Sequence, residues 1–96
     1  MEELNLSDRL RLIAGLIKKG SKVADIGTDH GYLPIFLVKS GITDRVIAMD
    51  VRKGPLKKAE DNTRAFCVFD QIELRLSDGL AALEKGEADT VTISGM

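Results

Sequence analysis

The sequence predicts an α/β protein in which one parallel β-sheet carries helices on both faces. Two observations support this class: four short apolar runs follow one another along the chain, and a helix-forming segment separates each run from the next. Connections of this length favour right-handed crossovers between parallel strands. The 96 residues correspond to one small domain or to part of a larger one.

The first predicted element is an amphipathic helix over residues Leu6–Lys19. Ser7 is a residue type that favours the N-cap, and Gly20 is typical of the position just after a helix. Leucine and isoleucine recur at helical spacing between these two ends, so one face of the helix is expected to cover the sheet.

The central predicted strand covers Lys22–Ile26 and leads into a loop that contains two glycines. A helix from Tyr32 to Lys39 follows, with Pro34 in its first turn, where the missing N–H costs little. A strand, a glycine turn and a helix N-terminus together form a place that can hold a nucleotide-like ligand.

Three further strands are predicted, over Arg45–Met49, Gln71–Leu76 and Asp89–Ile93, each followed by polar or glycine residues. A helix over Gly54–Phe66 and a short helix over Leu80–Leu83 connect them. The fourth strand is as apolar as the first, so we expect it to lie inside the sheet and not at an edge. This predicts that the sequence is the N-terminal part of a longer protein, or that a partner covers the strand.

The charge balance is nearly neutral, with 14 basic and 15 acidic residues, so the net charge neither favours nor excludes a nucleic-acid partner, although a local cluster could still matter. The single Cys67 excludes an internal disulfide, and it is expected to be a small buried hydrophobe. No metal site is expected from one cysteine and one histidine. Because the sequence shows neither a signal peptide nor an apolar run of about 20 residues, we expect a cytoplasmic protein without a membrane partner.

Polar residues follow each predicted strand, and ligands bind beyond these strand ends in open α/β sheets. Gly27 and Gly31 allow close approach of a ligand, whereas Asp29 stands where a dinucleotide motif has glycine and would repel a pyrophosphate. Asp50 lies about 20 residues beyond the glycine loop, where an acid either binds ribose hydroxyls or caps the next helix. Asp78 either accepts from an adenine amino group or caps a helix.

Two neighbouring loop residues and one basic cluster each have two interpretations. Asp29 either caps the helix that starts at Tyr32 or balances, orients or deprotonates a ligand. His30 is either a base or hydrogen-bond donor, or a structural residue of the loop. The basic cluster either contacts phosphates or is a solvated face; it comprises Arg52, Lys53, Lys57, Lys58 and Arg64.

The stretch Asp25–Pro34 resembles the first motif of class I S-adenosylmethionine-dependent methyltransferases, in the variant of the bacterial tRNA (adenine-N1)-methyltransferase TrmK family. The resemblance continues at Leu6–Leu10, Ser77–Leu80 and Ala88–Met96, and so covers nearly the whole chain. It implies the N-terminal half of a Rossmann-like fold, without the remaining strands and a helical C-terminal part. It also implies methyl transfer from S-adenosylmethionine to N1 of adenine 22 in tRNA, a base that must leave its stack to react.

The resemblance further implies roles for individual residues. Asp29 is the candidate catalytic residue, because a carboxylate near the exocyclic amine could stabilise the positive charge that develops on the base. Asp25, Gly27 and Gly31 would shape the methionine pocket, and Asp50 would bind ribose. Asp78 and Gly79 would flank the adenine. The full set of cofactor-binding candidates is Asp25, Gly27, Thr28, His30, Gly31, Asp50, Val51, Ser77, Asp78, Gly79 and Gly95.

Three other functions stay open at the level of the sequence. An NAD-dependent oxidoreductase is disfavoured by Asp29, for the reason given above. A class I methyltransferase acting on a small molecule or a protein would differ only in its substrate-binding half. A non-catalytic module within a tRNA-processing assembly would keep the fold without using the cofactor.

Overall fold

The computed structural model describes residues 6–93, which form a four-stranded parallel sheet and three α-helices. The elements in chain order are α1 (Asp8–Gly15), β1 (Val23–Ile26), α2 (Tyr32–Lys39), β2 (Val46–Asp50), α3 (Lys53–Ala65), a 3₁₀ turn (Phe69–Gln71), β3 (Ile72–Leu76) and β4 (Thr90–Ile93). The predicted parallel α/β class is confirmed. None of the helices in residues 6–93 is long and apolar enough to cross a membrane.

The strands lie in the order β3-β2-β1-β4. Val23 at the start of β1 is in register with Val46 of β2 on one side and with Thr90 of β4 on the other. The chain therefore steps in one direction from β1 to β3 and then returns to the opposite side of β1. This reversal creates a switch point between β1 and β4, where open α/β sheets bind their ligands.

Within residues 6–93 the helices pack on one face of the sheet, in contrast to the predicted two. Right-handed crossovers that advance in one direction place α2 and α3 on the same face. The return connection, which should cover the second face, has turns instead of a helix. The apolar cluster on the helical face contains the buried residues Ala14, Val23, Leu33, Ile35, Leu37, Val38, Val46, Ala48, Phe66, Val68 and Ile72.

The second face carries a smaller cluster of Ala24, Ile26 and Met49, packed against the segment 82–88. Arg75 of β3 holds this segment in place. Its guanidinium donates to the backbone oxygen of Ala82 at 2.7 Å and to Oε1 of Glu87 at 2.8 Å, and it also pairs with Glu73. These hydrogen bonds, first to Glu87 and then to Glu73, raise the pKa of Arg75 above its ordinary value.

Two predicted helices differ from those observed. Ser7 is the N-cap of α1, as predicted, with its hydroxyl oxygen 3.3 Å from the backbone nitrogen of Leu10. However, α1 ends at Gly15 and not at Lys19. Glycine weakens the helix there, and the following Leu16 is 80% exposed, so its side chain adds no core contact that would favour a further helical turn.

The predicted helix over Leu80–Leu83 is absent from the described structure, which has turns at these residues. The Ser77 hydroxyl stabilises the turns, since it donates to the carbonyl of Gly79 at 2.8 Å and accepts from the N–H of Ala82 at 3.0 Å. A segment of four residues is too short to form a stable helix by itself, and the Ser77 hydrogen bonds favour turns instead. Asp78 therefore has no helix here to cap.

The expectation of a buried Cys67 is wrong, because Cys67 is exposed. It lies just after α3 with φ at 61°, and its N–H donates to the carbonyl of Arg64 at 3.1 Å. The next N–H, of Val68, donates to the carbonyl of Thr63 at 2.9 Å. This pair of bonds is a Schellman motif, which turns Cys67 outward and buries Val68 in its place.

In the described sheet β4 is an edge strand, and its residues Val91 and Ile93 are 45% and 60% exposed. An interior position for β4 therefore stays a prediction about a longer protein. The predicted site residue Gly95 lies outside the described residues.

Candidate ligand-binding site

The loop between β1 and α2 turns tightly at the carboxyl end of the sheet. Three of its residues have left-handed backbone conformations: Gly27 with φ at 66°, Asp29 with φ at 58° and Gly31 with φ at 77°. The N–H of Thr28 extends the pairing with β2 by donating to the carbonyl of Met49 at 2.8 Å. These turns bring the backbone close to the end of the neighbouring strand.

Asp50, the last residue of β2, joins this loop to the start of α3. Its Oδ2 accepts from the N–H of Asp29 at 3.1 Å, and its Oδ1 accepts from the N–H of Arg52 at 3.0 Å. Arg52 is the N-cap residue of α3 but makes no side-chain cap, so the Asp50 carboxylate supports the helix start. A carboxylate has about four acceptor positions, so two are left for a ligand.

The Asp50 side chain is only 3% exposed. The Arg52 side chain lies against it, with Nε 3.7 Å from Oδ1, and is itself 67% exposed. An exposed guanidinium held by one long contact can swing aside and admit a ligand to the carboxylate. The two sequence interpretations of Asp50 are therefore compatible.

The end of β3 lies beside Asp50, at the carboxyl end of β2. The N–H of Ser77 donates to the backbone carbonyl of Asp50 at 2.9 Å. Beyond the buried Ser77, Asp78 and Gly79 are exposed, as is Val51 after β2. The structure therefore brings together the predicted residues from the ends of β1, β2 and β3.

Gly31 serves helix packing as well as the turn. A Cβ atom at this position would lie 3.1 Å from the Cβ of Ala59 on α3, closer than most Cβ contacts. Gly31 is also the N-cap residue of α2, without a side-chain cap. The alternative role of Asp29 as the N-cap of this helix is therefore wrong, and its carboxylate is available for another function.

Asp29 and His30 lie at the surface of the loop. Oδ1 of Asp29 is 3.2 Å from Nδ1 of His30, and the two side chains are 43% and 38% exposed. The His30 ring stacks on Tyr32, with 5.4 Å between ring centroids and 8° between planes. Asn62 of α3 donates to the His30 carbonyl at 2.9 Å, so the loop is also held from behind.

Asp25 lies inside β1, and its side chain is fully buried. Its Oδ1 accepts from the hydroxyl of Thr92 on β4 at 2.6 Å. This bond joins the two strands across the switch point. Asp25 can therefore shape the site by fixing the strands behind the glycine loop.

A small cavity of about 190 Å³ lies between α1 and the β1–α2 loop. It is lined by Arg9, Leu10, Thr28, Asp29, His30, Tyr32 and Leu33. The Thr28 side chain is buried, and its hydroxyl oxygen has no hydrogen-bond partner among the described residues. A larger open groove of about 790 Å³ starts at the amino ends of the strands, and none of the predicted site residues within 6–93 lines it.

Three residues near the site were given no role from the sequence: Arg9, Asn62 and Tyr32. Arg9 lies in the segment Leu6–Leu10, which carries part of the family resemblance, and this could have pointed to a role for Arg9. Asn62 gives no such signal, because it is one polar residue among many on a solvated helix.

The basic cluster on α3 is largely engaged with its neighbours. Lys57 pairs with Glu60 at 3.2 Å and Asp61 at 3.3 Å, and hydrogen bonds to these acids raise its pKa. The guanidinium of Arg64 lies 3.8 Å from the ring centroid of Phe69. This arrangement favours the interpretation of a solvated helix face.

Known proteins are similar to this chain in both sequence and fold. The family described as a methyltransferase domain matches residues 6–96. A tRNA (adenine(22)-N(1))-methyltransferase of Bacillus subtilis (strain 168) is 41% identical over 96 residues, which are 100% of this chain and 40% of that protein.

Two solved structures show the same fold. The crystal structure of the B. subtilis tRNA methyltransferase TrmK matches with a TM-score of 0.92 and 40% identity, over 98% of this chain and 40% of that chain. M. capricolum TrmK, in complex with the natural cofactor product S-adenosyl-homocysteine, matches with a TM-score of 0.86 and 43% identity, over 92% and 40% of the two chains. The chain thus spans about 40% of the length of these relatives, and the predicted resemblance is confirmed.

Proposed function

The chain belongs to the methyltransferase-domain family, and on this basis we propose that it forms the S-adenosylmethionine-binding part of an enzyme that methylates N1 of adenine 22 in tRNA. One structural observation carries the proposal: the glycine loop after β1 is hydrogen-bonded to the acid that ends β2, beside the switch point. This is where a class I fold holds a nucleoside ligand. The substrate places the reaction in the cytoplasm.

The residues present fit this ligand. Asp50 has acceptor positions left for the vicinal hydroxyls of a ribose. The buried Thr28 hydroxyl has no partner among the described residues, and a ligand could supply one. We assign the methionine part to the loop Gly27–Gly31, with Asp25 behind it, and the adenine to Asp78 and Gly79. S-adenosylmethionine supplies a sulfonium-bound methyl group that is reactive without further activation.

The remaining cofactor-binding candidates lie next to the residues just named and support their positions. His30 fixes one side of the loop, Val51 is exposed beside Asp50, and Ser77 joins the β3 loop to the end of β2. Gly95 completes the proposed set from the chain beyond β4.

We assign Asp29 to the target base. Adenine N1 carries a lone pair, so no general base has to remove a proton before it reacts. The base becomes positively charged on N1 methylation, and a carboxylate that accepts from its exocyclic amine stabilises that charge. The Asp29 carboxylate is partly exposed at the mouth of the site, where an incoming base can reach it.

Methyl transfer to defined tRNA transcripts tests the proposal. Because the 96-residue chain spans about 40% of the length of its relative, we expect it to be inactive alone, and the assay uses the full-length protein. This protein is incubated with labelled S-adenosylmethionine and an unmodified tRNA that has adenine at position 22, and in parallel with the same transcript carrying guanine there. We expect label only in the adenine transcript. Equal labelling of both would refute the position, and no labelling together with binding of NADH would favour the oxidoreductase instead.

A further inference from the structure

Hydrogen bonds fix the peptide that enters Asp29. Its N–H, which belongs to Asp29, donates to Oδ2 of Asp50 at 3.1 Å. Its carbonyl, which belongs to Thr28, accepts from the N–H of Gly31 at 3.0 Å. Both ends of this peptide are therefore held, and its orientation is set.

The peptide between His30 and Gly31 is fixed in part by a residue outside the loop. Its N–H makes the bond to Thr28 just described. Its carbonyl accepts from Nδ2 of Asn62, on α3, at 2.9 Å. This bond is partly buried, where a hydrogen bond is electrostatically stronger than in bulk water. Asn62 thus restrains the chain just after the pair of Asp29 and His30.

The helix α3 supports the loop at two places on one side. Ala59 and Asn62 are three residues apart, so their side chains lie on the same helix face. Ala59 is fully buried, and a Cβ atom at Gly31 would lie 3.1 Å from its Cβ. The close packing of Gly31 on Ala59 sets the distance between α3 and the loop. At this distance the short side chain of Asn62 reaches the His30 carbonyl.

We propose that Asn62 is a positioning residue for the Asp29 carboxylate, an inference that rests on the proposed function and its assignment of Asp29 to the target base. Asp29 has a left-handed φ of 58°, which few residues other than glycine adopt, so surrounding bonds have to maintain it. Oδ1 of Asp29 lies 3.2 Å from Nδ1 of His30, so an anchor on the His30 backbone also restrains the carboxylate. Asn62 acts through the backbone of the loop and does not itself contact cofactor or base.

A double-mutant cycle in the full-length protein tests this role. Asn62→Ala removes the donor and places a better helix former in α3, so the helix itself should not be weakened. We expect Asn62→Ala to lower kcat for tRNA roughly tenfold and to leave the affinity for S-adenosylhomocysteine within about twofold. In the Asp29→Asn background, which already lacks the carboxylate charge, the same change should lower kcat by less than about twofold.

A neighbouring residue and a second measurement provide the controls. Asp61→Ala is the matched variant at the next position of α3, where the carboxylate pairs with Lys57 at 3.3 Å, and it should keep the wild-type kcat. Hydrogen exchange gives a readout that does not depend on catalysis. Asn62→Ala should accelerate exchange of the Gly31 N–H at least about fivefold, whereas Asp61→Ala should not.

The possible outcomes separate this inference from the proposed function. Equal losses of kcat in the wild-type and Asp29→Asn backgrounds would show a general structural role for Asn62, and the inference would be wrong. It would also be wrong if Asn62→Ala left kcat or Gly31 exchange unchanged, or weakened S-adenosylhomocysteine as much as it lowered kcat. A wild-type protein that methylates no tRNA would refute the proposed function together with this inference, and that result is recognised before any substitution is made.

Discussion

The N–H of Asp29 donates to Oδ2 of Asp50 at 3.1 Å, and this bond joins the loop after β1 to the end of β2. The same carboxylate accepts from the N–H of Arg52 at the start of α3. One buried side chain therefore maintains the shape of the loop and offers the remaining acceptor positions to a ligand. A substitution of Asp50 therefore affects both the stability of the protein and the binding of a ligand, and comparing different substitutions separates the two effects.

Asp50→Ala should lower the free energy of unfolding by about 1–3 kcal/mol, because it removes the acceptor of two partly buried N–H groups. Asp50→Asn keeps one acceptor oxygen, so it should cost less stability while still weakening S-adenosylhomocysteine at least roughly tenfold. Urea unfolding and calorimetric titration measure the two effects. Asp70→Asn, an exposed acid on the 3₁₀ turn, is the control. Wild-type affinity in Asp50→Asn would contradict the ribose assignment.

Gly31→Ala should destabilise the protein through two separable causes, the strained φ and the contact with Ala59. Gly41 has the same φ of 77°, but a Cβ atom added there would meet no atom of residues 6–93 within 4 Å, so Gly41→Ala reports the backbone cost alone, about 1 kcal/mol. Gly31→Ala should exceed it by about 1–3 kcal/mol, and this excess should largely vanish when Gly31→Ala is made in an Ala59→Gly background, whose own helix cost is measured separately. Thermal unfolding of the single and double variants tests this. Equal losses at both glycines would show that the helix contact is unimportant.

Asp29→Asn should lower kcat for tRNA at least tenfold and leave the affinity for S-adenosylhomocysteine nearly unchanged. Asparagine tolerates the left-handed backbone at this position, so the loop should keep its shape. Single-turnover methylation and cofactor titration on the same preparation measure both quantities. Loss of cofactor binding with unchanged kcat at saturation would instead assign Asp29 to the cofactor.

Glu87 should make the stability of the protein depend on acid pH. The hydrogen bond from Arg75, and then that from the Glu84 N–H, lower the pKa of Glu87 from 4.5 to about 2. Its contribution is therefore complete above pH 4.5 and is lost as the pH falls from 4.5 to 2. The difference in Tm between the wild type and Glu87→Gln should shrink over this range. Glu84→Gln, which keeps the backbone donor, should show no such convergence.

The sequence predicted best the elements whose signals are local. The helix Tyr32–Lys39 was predicted at its observed bounds, because a glycine turn precedes it and Pro34 fits its first turn. The strand that ends at Asp50 was found because an apolar run stops at a charged residue. Local patterns could not show that α1 would stop at Gly15, since its length depends on tertiary contacts.

The sequence predicted that the site lies at the strand ends, but it did not predict the hydrogen bonds and contacts that connect the site residues. The role of Asp50 as an acceptor for two backbone N–H groups depends on loop geometry that no spacing encodes. The contact of Gly31 with Ala59 arises from the crossing of two helices, and the cavity beside Arg9 arises from the placement of α1. These features join residues far apart in the chain, for which a single sequence gives no pairing signal.

The pairing of β1 with β4 also has a consequence for the order of assembly. The Asp25–Thr92 hydrogen bond closes a separation of 67 residues, whereas the Asp29–Asp50 bond closes one of 21. The longer closure costs about 1 kcal/mol more chain entropy. During folding, β1, α2 and β2 can therefore consolidate first, with the glycine loop already bonded to Asp50, and β4 is the last strand to dock. A nascent chain would thus acquire the ribose side of the site before the switch point is complete.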